Sequence, residues 1–567
     1  MKTATSVPTQ ATIEVVRHAF LSGAEQMRRN LYRSAYSPVI YEMKDCSVGI
    51  YDSNGDLLGQ APGLPFFLGS LGGTIKSVLE QQGPESFQPN DVWFVNDSAI
   101  CGSHLNDVTV FQPIFIDAKL RGFSGAKAHW NDVGGKEAGY ISDSTNIFQE
   151  GLRIPPMRLV TDGVLDQQLL ELVMLNSRFP SSLAGDLKAE ITACHTGVER
   201  FEAIVRRYGW STVESAIQHF FHQAEREDRA SVKTIPDGSY HAEGWLDGDG
   251  VSDRPVKVVV TVRIEHDHMT VDLTGSNPEC EGSINSGIVQ TRSAIQQAFK
   301  FLVNPNAPVC GGNFRNLKIV VPKGSCFDPS PTAACLHYGP HLMLAMDLMV
   351  RAISDVAPDR AAAGHVGDSW NVSIVNERGH SPFVSGESLV GGWGAYPGGD
   401  GESALIHSAA GDFKNFPVET MEHRFPLRIQ RHSLREGSGG DGEWRGGLGI
   451  VRIYELLEDA RINLWFERSK TPSWGIGGGH AGAAPDVWVH IPGSEPQRIL
   501  KVNALPVSAG TRIDVFTGGG GGWGDPTSRS DIARREDERV GLVPRNSSPS
   551  VEATIRRPKG STKGVRA

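Results

Sequence analysis

Two histidines and an aspartate lie around what the sequence predicts to be a β-hairpin. His104 and Asp107 stand just before the strand-like run VTVFQPIFI, and His129 ends the run that follows a polar turn. Pairing Asp107 with His129 centres that turn on Ala118, so the two residues are expected to face each other at the open end of the hairpin. A turn just before the first strand would bring His104 to the same side. Pro113 indicates an edge position or a bulge, which leaves the register open by about one residue.

These residue types suit a metal ion. Two imidazole nitrogens and a carboxylate oxygen at a glycine-rich mouth would supply three ligands and leave coordination positions open, as in catalytic Zn, Mn or Fe(II) sites. The pattern H-x-x-D is short and common, so ordinary polar loop residues remain the alternative on spacing alone.

Length and composition are those of a multidomain globular protein. The chain has 567 residues and a formal net charge of −10, which favours neither nucleic acid nor an anionic membrane as a partner. Glycine accounts for 65 residues, about 11% against roughly 7% in average proteins. This excess predicts many tight turns and close backbone approaches, which favours a mixed fold with long functional loops over a helical bundle.

The cysteines and the N-terminus bear on location. Seven cysteines are scattered singly, which argues against both a zinc knuckle and a disulfide framework. The first residues lack the apolar core of a signal peptide, and no apolar run is long enough to span a membrane. A cytoplasmic location is therefore expected.

Hydrophobic periodicity and turn signals predict an α+β protein, a mixed multi-domain α/β architecture with Gly-rich loops and the metal site at the open end of the hairpin. Apolar residues at helical spacing predict a first helix over about 12–33, and CSVGIYD and LLGQ around an Asn-Gly turn predict a first hairpin. The other predicted helices lie at 66–82, within 165–232, at 286–303 and at 340–356.

Composition changes along the chain predict the domains. A turn signal and a shift to β-branched residues place a boundary near 234, giving a metal-binding catalytic region at 1–234 and a mixed β-rich and helical region at 235–527. Residues 528–567 are predicted to be a disordered basic tail, with a basic docking arm as the alternative. The glycine run at 518–524 is interpreted as a structural turn, because no Lys-Ser/Thr follows it as in a phosphate-binding loop.

Longer motifs extend the interpretation beyond single residues. The runs KDCSVGIYD, GQAPGLPFFLGSL, GSHLNDVTVFQPIF, AKAHWNDVGG, EGLRIPP, NFPVETMEHRFP and TGGGGGWGDP occur in this order. In these motifs the chain resembles the hydantoinase B/oxoprolinase family. That family includes the B components of ATP-dependent N-methylhydantoinases, the C-terminal half of 5-oxoprolinases, and the α-type components of acetone and acetophenone carboxylases.

The resemblance implies a set of metal ligands. It assigns the family's metal site to His104, Asp107 and His129, and it makes Asp45 in KDCS a candidate fourth ligand. On its own, Asp45 would be an ordinary aspartate beside a hairpin.

Three further residues are candidate catalytic residues. Asp132, in NDVGG, is expected to accept a hydrogen bond that orients His129. Glu150 and Arg153, in EGLRIPP, could reach a carboxylate or phosphate of a substrate, with structural pairing as the alternative.

The chain also departs from the family pattern. Family members often carry histidines in the segment where Gly63 and Phe67 stand here, and many carry one where this chain has Trp130. Those replacements are expected to make the pocket less polar. His337 and His341 lie around the start of a predicted helix and could approach the site.

The resemblance implies a two-part ATP-dependent system in which this chain is the metal-bearing catalytic subunit. The expected cofactor is a divalent metal, Mn or Zn and possibly Fe, with ATP and Mg bound by an A-type, actin-like ATPase partner in a hetero-oligomer. The expected reaction is hydrolysis of a cyclic amide such as a hydantoin, 5-oxoproline or another lactam. The alternatives are the α-type subunit of a ketone carboxylase, and a scaffold subunit without catalysis. No nucleic-acid or membrane partner is expected.

Overall fold

Seven antiparallel strands form the sheet that carries the predicted hairpin. The computed structural model describes residues 8–377 and 382–544. The elements of its first part are α1 (Gln10–Ser34), α2 (Pro38–Tyr41), β1 (Cys46–Asp52), β2 (Leu57–Gln60), α3 (Pro65–Gln82), β3 (Val92–Val95), α4 (Ser98–Cys101), β4 (Asp107–Ile116), β5 (Lys119–His129), β6 (Met157–Thr161), β7 (Val164–Leu165), α5 (Gln167–Leu175), α6 (Pro180–Tyr208) and α7 (Trp210–Val232). The strand order β2-β1-β5-β4-β3-β6-β7 places the β4–β5 hairpin inside the sheet.

The β4–β5 hairpin has the predicted register. Asp107 pairs with His129. Asp117 and Ala118 form the two-residue turn, and both have positive φ values, 49° and 57°, as a type I′ turn requires. A bulge lies between the two residues that follow Pro113. The sequence therefore predicted both the pairing and the irregularity beside the proline.

Helices cover both faces of this sheet. One face packs against α1 and α6, and the predicted apolar positions of α1, among them Ile13, Val16 and Phe20, are all buried there. The other face packs against α3 through Leu71 and Ile75. Within residues 8–377 and 382–544, no helix has both the length and the apolar character that a bilayer span requires.

Three smaller sheets form the second part of the chain. Its elements are β8 (Gly238–Leu246), β9 (Val256–Glu265), β10 (His268–Asp272), α8 (Ile288–Val303), β11 (Leu317–Val320), α9 (Pro340–Ile353), β12 (Asn371–Asn376), β13 (Phe383–Ser388), α10 (Val418–Arg424), β14 (Leu427–Leu434), β15 (Ile450–Leu456), β16 (Ala460–Trp465), β17 (Asp486–His490), β18 (Gln497–Arg498), β19 (Lys501–Val507), β20 (Arg512–Phe516) and α11 (Asp531–Val540). The sheets have the orders β11-β10-β9-β8, β13-β12-β16-β19 and β14-β15-β20-β17-β18. The molecule is thus a mixed α+β protein of several sheets, as predicted.

The two predicted regions share buried contacts. Phe66 and Phe67, at the start of α3, belong to the same hydrophobic cluster as Ile295 and Phe299 of α8, and α3 packs along α8. The boundary near 234 separates the first sheet from the others in sequence, and the domain division there stays a prediction.

The predicted disordered tail is ordered at its start. Residues 531–540 form α11, contrary to the expectation for 528–567, and residues 545–567 lie outside the described part of the chain. Arg529 donates to Asp400 at 2.8 Å and to Asp537 at 2.9 Å, and Asp537 also pairs with Arg445 at 3.4 Å. Specific ion pairs hold this helix on the body, and composition alone does not reveal them.

The glycine run near the end of the second part is a buried extended segment. Gly518 to Gly522 are all buried, and their backbone groups bond to several other segments. A methyl group added at Gly519 would meet Ser438, one at Gly520 would meet Trp393, and one at Gly521 would meet Trp474. One at Gly522 would meet Asp441, in the same segment as Ser438, so the neighbouring segment recurs after three residues, which is the periodicity of a polyproline II helix. The predicted structural role is confirmed, although the segment is not a turn.

Close backbone packing makes Gly520 intolerant of any side chain. A Cβ there would lie 1.8 Å from the carbonyl oxygen of Trp393, so we expect Gly520→Ala to lower the free energy of unfolding by about 3 kcal/mol or more. Thermal unfolding followed by circular dichroism measures the effect. The control is Gly244→Ala, whose Cβ would meet only the tips of Leu344 and Leu348, no closer than 3.1 Å. Similar small shifts in both variants would contradict the tight packing.

Candidate metal centre

The turn before β4 brings His104 beside Asp107. Asp97 caps α4 by accepting a hydrogen bond from the Ala99 N–H at 3.0 Å, and Gly102, with a φ of 84°, is the residue that follows the end of α4. The Asp107 N–H donates to the His104 carbonyl at 3.1 Å. This turn places the side chains of His104 and Asp107 on one side, as the sequence predicted.

The structure brings the three predicted ligands together. The His104 Nε2 atom lies 2.8 Å from Asp107 Oδ1 and 3.1 Å from His129 Nδ1. The His129 Nδ1 atom lies 3.2 Å from the same Asp107 oxygen. Three potential ligand atoms therefore form a small triangle at the open end of the hairpin, and all three residues are buried.

Contacts around the triangle orient its members. The other ring nitrogen of His104, Nδ1, lies 3.0 Å from the Leu336 carbonyl. A carbonyl can only accept, so Nδ1 carries a proton, and in the neutral ring Nε2 is the nitrogen whose lone pair faces the cluster. The backbone N–H of His129 donates to the Asp45 carbonyl at 3.1 Å, one residue beyond the last pair between β1 and β5.

The charges in the cluster favour an ionised aspartate. Burial alone would raise the pKa of the Asp107 carboxyl, but His104 and His129 hold this pKa well below its usual range. Burial would likewise lower the pKa of His104, but the Asp107 carboxylate raises it above its ordinary value.

The donor set fits a divalent cation. Neighbouring ligands of one small divalent ion, bonded at roughly 2.1 Å, lie about 3 Å apart, which is the spacing seen here. The second oxygen, Asp107 Oδ2, is buried and has no hydrogen-bond partner among the described residues. A buried carboxylate oxygen without a partner is costly in a protein interior, and a bound cation would remove that cost. Two imidazoles with one carboxylate suit Zn, Mn or Fe(II).

A cavity of about 90 Å³ opens at this cluster. Its size suits a small molecule rather than a polymer. Aromatic and aliphatic side chains form much of its wall, from segments of both parts of the chain: Leu64, Phe66, Phe67, Met343, Ile406, Phe413 and Trp465. The polar residues at the wall other than the three predicted ligands are Asp45, Tyr140, His337, Tyr338, Asp368, Ser369, Asn371 and Ser388.

Asp45 lies at the cavity wall next to the cluster. Burial raises the pKa of its carboxyl to about 6, the Asp107 charge adds to this, and His129 and His104 oppose it. Among the described residues, the group whose ligand atoms lie close together comprises His104, Asp107 and His129. A role for Asp45 as the fourth ligand stays a prediction.

Two tyrosines enclose the histidine rings. Tyr140 stacks on His129, with ring centroids 5.6 Å apart, and Tyr338 meets His104 edge-on at 5.0 Å. Burial raises the pKa of both tyrosines well above its usual value, so both hydroxyls stay protonated at neutral pH. Sequence analysis missed both residues, since neither lies in a pattern with metal-ligand spacing.

Glu150 lies behind the site rather than in its cavity. Its carboxylate accepts hydrogen bonds from Ser144 Oγ at 2.7 Å and from the N–H groups of Cys335 and Leu336, both at 2.9 Å. Burial raises the pKa of Glu150 to about 7. Because the Leu336 carbonyl bonds to His104, Glu150 holds the loop that orients this histidine. Its geometry is that of a positioning residue.

Asp132 has a different partner from the one predicted. It accepts hydrogen bonds from Arg178, from the backbone N–H at 2.6 Å and from Nη1 at 2.7 Å. Among the hydrogen bonds of the described residues, none joins Asp132 to His129. Asp132 instead fixes the loop that follows His129 onto the segment before α6.

Arg153 forms a structural pair. Its Nη2 donates to Asp97 Oδ2 at 2.9 Å, and Asp97 is the residue that caps α4 just before His104. Arg153 is absent from the described cavity wall. The pairing alternative, rather than contact with a substrate, describes its position.

The residues that differ from the family pattern have different positions relative to the cavity. Phe67 lines the cavity and makes its wall apolar, as expected. Trp130 instead points into the core and donates its indole N–H to Glu190 at 2.8 Å, so it has no part in the cavity wall. His337 lines the cavity and stacks on Trp465 with centroids 3.7 Å apart, whereas His341 bonds to Ser286 behind it.

Fold and site together define a mixed α+β protein with a candidate metal centre at a small, largely apolar cavity. The family model of hydantoinase B/oxoprolinase matches residues 9–526. The chain therefore belongs to the hydantoinase B/oxoprolinase family.

Relatives with known names lie within this family. The chain is 30% identical to the B component of a D-/L-hydantoinase from Pseudomonas sp. strain NS671, over 94% of this chain and 93% of the relative. It is also 30% identical to the beta component of the caprolactamase of Pseudomonas jessenii, over 94% of both chains. The crystal structure of the ATP-dependent caprolactamase from that organism matches with a TM-score of 0.88 at 27% identity, over 95% of both chains. Nucleotide-free acetone carboxylase shares the fold, with a TM-score of 0.85 at 19% identity, over 94% of this chain and 78% of that chain.

Removing the Glu150 carboxylate tests whether it positions His104. In Glu150→Ala, the N–H groups of residues 335 and 336 lose their acceptor, so the Leu336 carbonyl is no longer held against His104. We expect the affinity for Mn²⁺ or Zn²⁺ to fall about tenfold to a hundredfold, measured by competition with a chelator of known affinity.

Glu279→Ala is the matched control for this change. Glu279 accepts hydrogen bonds from Ser330, at 2.6 Å from the N–H and 3.0 Å from Oγ, a few residues earlier in the same loop. The Glu279→Ala variant should keep the wild-type affinity for the metal ion. Equal affinity in the two variants would show that Glu150 does not act through Leu336.

Proposed function

We propose that this chain is the metal-bearing catalytic subunit of an ATP-dependent hydrolase of cyclic amides. The observation that carries the proposal is the buried His104–Asp107–His129 cluster at the wall of a small cavity. The relatives named as components of a hydantoinase and of a caprolactamase support cyclic amides as the substrate class.

In this proposal, His104 Nε2, His129 Nδ1 and Asp107 Oδ1 hold one divalent metal ion, with Asp45 as the fourth ligand. When bound, the cation would supply Lewis-acid chemistry at a carbonyl or phosphoryl oxygen. Leu336 fixes the tautomer of His104 through its carbonyl, and the apolar wall limits access of bulk water to the reacting groups.

ATP enters the reaction through a partner. An amide resists attack by water because its leaving group is poor, and phosphorylation of its oxygen by an ATPase supplies a better one. The sequence contains no G-x-x-x-x-G-K-[ST] loop, which accords with a separate ATPase of the A type. The names of the relatives, each one component of a larger enzyme, accord with a hetero-oligomer.

Carboxylation of a ketone is the second candidate. The structural match to acetone carboxylase concerns the fold, and its identity of 19% carries no further argument about the reaction. The relatives at 30% identity therefore favour hydrolysis. A scaffold without catalysis is disfavoured, because all three potential ligands are retained.

Each ligand can be tested by metal content. His104→Ala, Asp107→Ala and His129→Ala each remove one ligand atom, so each variant should lose tightly bound metal and turnover while keeping its far-ultraviolet circular dichroism. Elemental analysis of the purified variants measures the metal. His341→Ala, which removes a buried histidine behind the cavity, is the control and should keep its metal. Full occupancy in all three ligand variants would refute the site.

The partner requirement separates the candidate reactions. The chain alone should not hydrolyse a lactam, whereas a mixture with the A-type ATPase, ATP and Mg²⁺ should couple ATP consumption to lactam loss. A hydrolase would show this coupling without bicarbonate, whereas a carboxylase would depend on it. ATP-independent turnover by the chain alone would contradict the two-part mechanism.

A further inference from the structure

Two small cavities lie beside the main cavity, on the side of His129 and Tyr140. The first has a volume of about 20 Å³, and it shares His129, Tyr140 and Leu336 with the wall of the main cavity. The second has a volume of about 10 Å³ and adjoins the first. The wall residues common to these two are Asn106, Asn131, Gly139 and Leu336. They form a row that starts beside the metal cluster, and we call them the rear cavities.

The far end of the rear cavities lies near the protein surface. Gly135 and Glu137 line the second rear cavity and are half-buried, and Lys136 between them is exposed. The main cavity, in contrast, is walled largely by aromatic and aliphatic side chains. The rear cavities therefore lead from the surface to His129 without crossing the apolar wall.

Each rear cavity has the size of one water molecule. A cavity needs roughly 10–15 Å³ to hold one water, and that water needs about two to four polar partners. The volumes of about 20 and 10 Å³ meet the requirement of size. A row of two such cavities is too narrow for a substrate and suits single water molecules.

Asn106 and Asn131 supply polar partners in both rear cavities. Asn106 Nδ2 donates to the Trp130 carbonyl at 2.7 Å, and among the hydrogen bonds of the described residues none reaches Asn106 Oδ1. The side chain of Asn131 makes no hydrogen bond to any described residue. Both asparagines are half-buried, so amide groups without a protein partner line the row and are available to bind water.

The proposed reaction needs water at the metal cluster. Opening a phosphorylated cyclic amide to an amino acid and inorganic phosphate consumes two water molecules. One water oxygen bonds to the amide carbon as the C–N bond breaks, the other bonds to carbon or phosphorus as the phosphate leaves, and the hydrogens go to the released amine and phosphate. The substrate itself would occupy the main cavity and separate the cluster from bulk water on that side. Water must then arrive by another route.

We propose that the rear cavities hold one ordered water each and supply the metal cluster with the water for hydrolysis, with Asn106 and Asn131 as the positioning residues that bind it. The role in hydrolysis rests on the proposed function, because it takes a phosphorylated cyclic amide as the substrate. The presence of water in the rear cavities does not depend on that function, and it can be tested separately.

A high-resolution crystal structure of the full chain tests the water sites directly. We expect one ordered water in each rear cavity, hydrogen-bonded to Asn106 or Asn131. This measurement needs neither the ATPase partner nor a substrate. A rear cavity without ordered water would break the row and overturn the inference.

Filling the first rear cavity tests the supply of water. Val384 of β13 lines this cavity and lies far in sequence from the proposed ligands, and Val384→Phe adds an apolar ring in place of the water. With the A-type ATPase, ATP and Mg²⁺, kcat for lactam hydrolysis should fall about tenfold or more at unchanged KM, because substrate binding uses the main cavity. Elemental analysis should show the wild-type metal content.

Val502→Phe is the matched control for this change. Val502 lies on β19, at the opposite edge of the sheet that contains β13, and it is half-buried as Val384 is. It lies away from the main cavity and from both rear cavities. The control should keep the wild-type kcat, and thermal unfolding checks the folding of both variants.

A second variant removes the polar partner instead of the space. Asn131→Leu has a side chain of similar size without a hydrogen-bonding group, so the ordered waters should be lost and kcat should fall as in Val384→Phe. This variant decides the outcome if Val384→Phe does not fold.

The outcomes separate this inference from the proposed function. An unchanged kcat in a folded, metal-loaded variant whose crystal structure has lost the waters would show that hydrolysis draws its water from elsewhere, which overturns the inference. If the wild-type mixture hydrolyses no lactam, the proposed function falls and the role in hydrolysis falls with it. The crystal structure would still decide whether the rear cavities hold water.

Discussion

The pairing of Asp107 with His129 across the β4–β5 hairpin is the constraint on which the site depends. Side chains on a strand alternate between the two faces, so a shift of one residue would turn one member of the pair to the opposite face. The turn at Asp117 and Ala118 sets this register from the closed end, and the bulge beside Pro113 is absorbed before the pair is reached. Because the hairpin lies inside a seven-stranded sheet, its neighbours hold the register from both sides.

A hairpin alone would leave this cluster open to water, and the second part of the chain closes it. The loop before α9 contributes the Leu336 carbonyl that orients His104 and the Tyr338 ring that meets it edge-on. Glu150 of the first part holds that same loop through its backbone N–H groups. Hydrogen bonds that orient the site therefore run between the two parts of the chain, which accounts for a cavity lined from both.

Glycine serves this fold mainly by its lack of a side chain. At Gly519, Gly520 and Gly521 the neighbouring backbones approach so closely that a Cβ would lie within 1.9 Å of a carbonyl oxygen. This packing places several extended segments side by side without a conventional sheet, and the hydrogen bonds among them replace those of a ladder. The high glycine content predicted close backbone approaches as well as tight turns, and the structure shows where these approaches occur, in a buried bundle of extended segments.

The amino-acid sequence by itself determined the local elements and the core of the site. The helical spacing of α1, the Asn-Gly hairpin, the register of β4 with β5 and the proximity of His104 to Asp107 all follow from contacts close in sequence, which periodicity and turn chemistry report. Only the tertiary structure decided the partners of Asp132, Arg153 and Glu150, the inward direction of Trp130, the order of α11, and the arrival of Tyr140, Tyr338 and Asp368 at the cavity. These outcomes depend on which distant segment offers a hydrogen-bond donor, an acceptor or a charge. Contacts of this kind produce no periodic pattern of residue types in the sequence. A short-range pattern could therefore place the potential ligands, whereas the cavity wall required the packing of both parts of the chain.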